Sequence, residues 1–108
     1  MTDSLPPLLA DFIASVNAHD ADAFIAAFAP DGVVDDWGRE FVGPEAIIRW
    51  SDREFIGSAG TLRVITVTRQ GQRTVVVGDW RSTHANGVSA FTFDVAGDRI
   101  TRMTIREG

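Results

Sequence analysis

Apolar residues recur at helical spacing from the start of the chain. Leu5, Leu8, Leu9, Phe12, Ile13 and Val16 make one continuous stripe, as on the buried face of an amphipathic helix. Ser4 is the expected N-cap, with Pro6 and Pro7 in a first turn, where no intrahelical amide is needed. Asn17-Ala18-His19-Asp20 breaks the stripe, and Asp20 can cap a second short helix carrying Phe24, Ala27 and Phe28. Pro30-Asp31-Gly32 has turn chemistry and predicts the end of that helix. Short strands follow at Val33–Asp36 and Arg39–Val42, with Trp37-Gly38 between them. Gly43-Pro44-Glu45 then opens a third helix, proline suiting its first position and glutamate its positive dipole end. Ile47, Ile48, Ser51 and Phe55 share a face of this helix with Trp50 on the flank, and Ser58-Ala59-Gly60 closes it.

The remainder alternates as strands do. Leu62–Arg69, Thr74–His84, Val88–Val95 and Ile100–Ile105 are rich in Val, Ile, Thr and Phe. Their joints are Gln70-Gly71, Asn86-Gly87 and Gly97-Asp98, which predicts an antiparallel meander. With Asn86-Gly87 as a two-residue turn, His84 pairs with Ser89, Ser82 with Phe91 and Trp80 with Phe93. Directly opposed residues point the same way. One face then carries Val76, Gly78, Trp80, Ser82, His84, Ser89, Phe91, Phe93 and Val95; the other carries Val75, Val77, Asp79, Arg81, Thr83, Ala90, Thr92 and Asp94. The first is aromatic along most of its length and should meet the helices. It becomes polar toward His84 and Ser89, where a cavity would open. The fold class is therefore α+β: a single domain with helices first, then an antiparallel sheet curled over a largely apolar pocket.

Composition narrows the function classes. With 108 residues, 44% of them hydrophobic and 23% charged, the chain can bury a core without staples. There is no cysteine, which excludes disulfides and thiolate metal sites and fits a reducing cytoplasm. The net charge of −5, with no basic cluster along the chain, argues against nucleic-acid binding. No apolar run approaches the roughly 18 residues of a membrane span. Met1-Thr2-Asp3-Ser4 lacks the character of a signal peptide. Two distant histidines and no clustered carboxylates give no metal site, and no phosphate-cradling glycine motif is present.

The order helix, helix, short hairpin, helix, four long strands resembles the nuclear transport factor 2-like superfamily. Four phrases carry the resemblance: Asn17-Ala18-His19-Asp20 ending the first helix, Phe28 to Asp36 leading into the first strand, Phe41-Val42-Gly43-Pro44-Glu45-Ala46-Ile47 opening the third helix, and Trp80 to His84 on a long hairpin. Together they resemble the SnoaL-like and ketosteroid isomerase-like branch over nearly the whole chain. The resemblance implies a cone-shaped curled sheet of the cystatin-like roll type, a pocket without a cofactor, and a homodimer. The cone hosts isomerases, polyketide cyclases, epoxide hydrolases, dehydratases and plain binding modules, so fold does not decide function.

Asp36 is the leading candidate for chemistry. In ketosteroid isomerases an aspartate at this place in the first strand moves a proton beside a carbonyl, a system that is itself a standard illustration of carboxyl tuning. A carboxylate desolvated in an apolar cone is a stronger general base. Asp35 should point to the opposite face, so the two aspartates are not expected to form a dyad. The isomerases stabilise the enolate oxygen with a tyrosine on the first helix and a protonated acid on a late strand. Phe12 and Ser89 stand at those positions, and the chain has no tyrosine. Loss of such donors costs several kcal/mol of transition-state stabilisation, so steroid isomerisation of the familiar kind is not expected.

His84 is the second catalytic candidate, because the strand Trp80 to His84 resembles one on which SnoaL-like cyclases place a pocket histidine. Phe12, Trp37, Trp80, Ser89, Phe91 and Phe93 are the expected ligand-binding residues, with Trp37 a wall or lid beside Asp36. Arg39 is expected to pair with Asp35 or Asp36, or to orient an anionic ligand, and His19 to be surface. The acid-arginine-acid arrangement of the superfamily's epoxide hydrolases is not credited to Asp79, Arg81 and Asp94, which fall on the outer face. Two functions remain open: a cofactor-free isomerase, cyclase or dehydratase acting on a small apolar carbonyl compound, and a non-catalytic binding or dimerisation module. Pairing would use Val75, Val77, Ala90 and Thr92 on the outer face. A base in a pocket requires a cavity that reaches Asp36; a vestigial pocket requires Trp37, Trp80 and Phe12 to fill the cone.

Overall fold

A computed structural model describes residues 2–108; Met1, where the N-terminal reading begins, lies outside them. The elements are helix α1 (Pro7–Asn17), helix α2 (Ala21–Ala26), strand β1 (Phe28–Asp36), strand β2 (Arg39–Val42), helix α3 (Pro44–Glu54) and strands β3 (Thr61–Gln70), β4 (Arg73–Arg81), β5 (Gly87–Ala96) and β6 (Arg99–Glu107). One turn of 3₁₀ helix, Ile56–Ser58, joins α3 to β3. The six strands form one open, curled sheet in the order β2-β1-β6-β5-β4-β3. The expected meander is present as β3 to β6. The sheet is mixed rather than wholly antiparallel, because β1 runs parallel to β6. Irregularities at Phe28/Val33, Val64/Thr66 and Asp94/Val95 interrupt the ladders, and such bulges bend and twist the strands that carry them.

The helices cover the concave face. Leu9, Phe12, Ile13 and Val16 of α1, Phe24 of α2 and Ile47 and Trp50 of α3 are buried against Val34, Val67, Val76, Phe91, Phe93, Ile100 and Met103. Three local readings change. The N-cap of α1 is Pro6, which makes no side-chain cap, so Ser4 lies ahead of the helix rather than on its end. Asp20 does cap α2, accepting from the Ala23 amide at 3.1 Å. That helix ends at Ala26, and Pro30-Asp31-Gly32 is an irregular stretch inside β1. On α3, Ile48 is exposed, while Trp50 is buried.

The hairpin register also moves. Ser89 pairs with Gly78 rather than His84, and Phe91 with Val76. The shift is 84 minus 78, or six residues. An even shift leaves every side chain on its predicted face, so Val76, Trp80, Phe91 and Phe93 are buried as expected. The connection is a five-residue loop, 82–86, because its side chains take over the backbone bonds. Asn86 Oδ1 accepts from the Ser82 amide, and Ser82 Oγ accepts from the His84 and Ala85 amides and donates to the Ala85 carbonyl. The first joint is Gly71-Gln72, one residue on from its predicted place; Gly97-Asp98 is as predicted.

Candidate functional site

The concave face ends in a cavity of about 190 Å³, lined by Asp36, Trp37, Arg39, Trp50, Glu54, Phe55, Trp80, His84, Ala85, Ser89, Phe91 and Ile105. Its wall is a file of stacked rings. Phe41 lies on Trp50 at 5.9 Å, Trp50 on Phe55 at 4.8 Å and Phe55 on Trp80 at 4.5 Å between centroids. Gly60 makes room for the last ring: a Cβ at that position would lie 2.1 Å from the Trp80 indole. Phe55 can join the file because it has left the helix, with φ −121° and ψ −93°.

Asp36 reaches this cavity from the end of β1. Its Oδ2 accepts from Arg39 at 2.5 Å and from the Trp50 indole nitrogen at 3.1 Å. Among the described residues, no donor bonds Oδ1. The carboxylate therefore stands beside a guanidinium rather than in the apolar surroundings expected from sequence. Arg39 is shared: its two terminal nitrogens also donate to both oxygens of Glu54, at 2.6 and 3.1 Å. His84 Nε2 lies 3.1 Å from Glu54 Oε1. Arg39 foremost, with His84 adding to it, holds the Glu54 carboxyl below the usual glutamate range.

Asp35 points the other way, as alternation predicts. It is buried on the convex side, where Arg106 and Arg102 donate to it and the Gly38 amide caps its Oδ1 at 2.8 Å. The Arg106 hydrogen bond, with those of Gly38 and Arg102, outweighs desolvation and brings its carboxyl down to about 2. Trp37, with φ 55°, and Gly38, with φ 92°, form the tight turn beyond it. The Trp37 side chain is 59% exposed, standing at the rim rather than filling the cone.

Six of the eight residues singled out from sequence line the cavity: Asp36, His84, Trp37, Trp80, Ser89 and Phe91. Phe12 and Phe93 do not. Phe12 packs on Phe24, Phe28 and Phe93 in the core beneath. His84 lies in the loop rather than in a strand and meets Glu54 rather than Asp36. Glu54 is the residue that sequence reading missed. Ile47, Trp50, Ser51 and Glu54 follow the i, i+3, i+4, i+7 spacing of a buried face, and an acid at the last of these positions was the available signal. Arg81 pairs with Asp79 and Arg73 with Asp94 on the outer face, as their strand parity predicts. His19, in the α1–α2 turn, is exposed and its ring bonds the Gly60 carbonyl at 2.9 Å.

A family model for the SnoaL-like domain matches residues 9–103. This chain belongs to that family. The SnoaL-like domain lies within the nuclear transport factor 2-like superfamily, in agreement with the order of elements. Solved structures align over nearly the whole chain. A candidate polyketide cyclase from Sinorhizobium meliloti has a TM-score of 0.84 at 24% identity, covering 94% of this chain and 95% of its own. A protein from Sphaerobacter thermophilus reaches 31% identity with a TM-score of 0.76, covering 92% and 91%. A Mycobacterium tuberculosis protein in complex with estradiol-17beta-hemisuccinate gives 0.82 at 18% identity, covering 94% and 91%. The first and third share the fold alone at these identities. No curated protein matches the sequence.

Within this SnoaL-like domain the cavity brings together an acid with one free oxygen, a second acid tied to a histidine, a serine hydroxyl and an aromatic wall. Among the described residues, no group of three His, Asp or Glu side chains is placed to hold a metal ion. Among the described residues, no helix is long and apolar enough to cross a membrane.

Proposed function

We propose that this SnoaL-like domain binds a small, apolar, carbonyl-bearing compound and moves a proton on it, with Asp36 as the base and no cofactor. The observation that carries the reading is the asymmetry of the Asp36 carboxylate. Arg39 and Trp50 both hold Oδ2, which fixes this cavity-lining group, and among the described residues no donor bonds Oδ1. Oδ1 would take the proton from the carbon beside the carbonyl; the C–H pair moves into the enolate, and the proton returns at a second carbon or the same one. Ser89, on the far side, offers a hydroxyl to the developing oxygen, and His84 stands at the rim. Asp36, Ile105 and Phe91 are neighbours across three strands, so the walls are roughly 10 Å apart at the backbone.

Size supports a small substrate. Drug-sized ligands occupy pockets of about 300–1,000 Å³, and an apolar cavity of about 150 Å³ holds a benzene. A cavity of about 190 Å³ encloses a single ring rather than a four-ring steroid. The test is a thermal-shift screen of single-ring ketones and lactones, followed by deuterium exchange at the α-carbon of each hit in heavy water. Wild type should exchange, and Asp36→Asn should slow exchange about 100-fold or more. A ligand that binds without exchange would convert the reading to a binding module, which the pairing of Arg39 with both Asp36 and Glu54 favours. No stabilisation by any compound would remove both readings. We further propose a homodimer through the convex face, where Val75, Val77, Ala90 and Thr92 remain half-buried with no helix over them.

A further inference from the structure

Beside the pocket lies a second groove of about 230 Å³, lined by Arg39, Arg49, Arg53, Phe41, Trp50, Glu54 and Ala46. Three of those seven residues are arginines, in a chain whose net charge is −5. Arg39 is committed to Asp36 and Glu54. Arg49 and Arg53 are exposed, and among the described residues they form no ion pair. They stand one turn apart on α3, a like-charge spacing that destabilises a helix. Glu45, one turn before Arg49, forms no ion pair with it. The helix dipole gives a reason for a cation at Arg53, in the last turn. It gives none for Arg49, nor for the convergence of three guanidinium groups on one aromatic-floored groove.

The groove and the pocket share a wall. Trp50 stacks on Phe41, which lines the groove, and on Phe55, which lines the pocket. Arg39 and Glu54 line both. We infer that the groove seats an oxyanion, so that the ligand carries its ring in the aromatic pocket and a carboxylate or phosphate arm across the Arg39–Glu54 pair onto Arg49 and Arg53. Free guanidinium forks match either group bidentately. The placement of the ring rests on the pocket reading above; the anion rests on the groove alone.

Two experiments separate those supports. Tryptophan fluorescence titrations would compare 4-oxo-4-phenylbutanoate, its methyl ester and phenacyl phosphate. Wild type should bind the anionic probes about tenfold more tightly than the ester at low salt. In the Arg49→Gln/Arg53→Gln variant that preference should fall to near parity. A larger preference for phenacyl phosphate assigns the arm as phosphate; a larger one for the acid assigns it as carboxylate. Equal affinity of all three probes for wild type overturns the subsite while leaving the pocket reading intact. Inorganic pyrophosphate, which has no ring, tests the groove by itself. It should shift the Arg49 and Arg53 Nε–H signals in an NMR titration, and their failure to move overturns the inference even where no ring compound binds.

Discussion

Adjacent aspartates at the end of β1 serve opposite faces of the sheet. Asp36 meets the cavity, and Asp35 ties β1 to β6 through Arg102 and Arg106. Because the folded Asp35 carboxyl is lowered from 3.8 to about 2, its contribution is complete above the unfolded value and is lost as pH falls from about 4 through 2. That contribution is on the order of 2 kcal/mol. Asp35→Asn should therefore lower stability in urea at pH 7 by about that much, with the gap to wild type narrowing toward pH 2; a gap independent of pH would refute the ion-pair account. Trp37 presents a different trade. Its left-handed backbone, which turns of this type give to asparagine or glycine, costs about 1–2 kcal/mol in an ordinary residue. Trp37→Asn should raise the urea midpoint and weaken ring binding at the rim. A variant no more stable than wild type would show that the turn bears no strain.

At the scale of elements, the site depends on three places where regular structure stops. β4 ends at Arg81 because Ser82 and Asn86 capture the backbone of the loop, and Thr83 docks it by donating its amide and hydroxyl to the Ser58 carbonyl. α3 ends at Glu54, which releases Phe55 to stack between Trp50 and Trp80. The 3₁₀ turn is followed by Ala59 in the left-handed region and then by Gly60 beneath the Trp80 indole. Gly60→Ala should force that ring to move, costing about 1–3 kcal/mol as overpacked sites do and changing the near-ultraviolet circular dichroism; an unaltered spectrum would show that the ring has slack. β3 is a sheet edge, and Asn17 covers one end of it by bonding both the amide and the carbonyl of Leu62. Asn17→Ala should cost about 1–3 kcal/mol and speed hydrogen exchange at the Leu62 amide. Unchanged exchange there would mean that the edge is protected by something else.

Over the whole molecule, all three helices cover one face and leave the other as bare sheet. Val75, Val77, Ala90 and Thr92 form an apolar strip there, bordered by the Arg73–Asp94, Arg81–Asp79 and Arg102–Asp35 pairs. The proposed pairing of two copies buries that strip. Val77→Arg should leave the helical signal intact and reduce the mass in sedimentation equilibrium from two chains to one. A wild-type protein that sediments as a monomer at every concentration removes the proposal. The arginine groove lies at α3 on the concave side, so pairing through the convex sheet leaves both it and the pocket open.

Local pattern determined much of this protein. Periodicity placed three helices and six strands, and parity sorted the residues of β4 and β5 onto their two faces; Asp36, which lines the cavity, was singled out by resemblance to ketosteroid isomerases and not by pattern. The face assignment survived a wrong hairpin register because side chains alternate with a period of two, and the register erred by an even number. Other features were decided only when distant segments met. The parallel pairing of β1 with β6 has no turn to announce it. The depth of Phe12 and Phe93 depends on four phenylalanines from α1, α2, β1 and β5 packing together. The Arg39–Glu54–His84 chain joins residues from β2, α3 and a loop that are unrelated by any sequence spacing. Hydrogen bonding and burial act through space, so alternation along a strand can say which way a carboxylate points, while the folded chain alone sets which cation meets it.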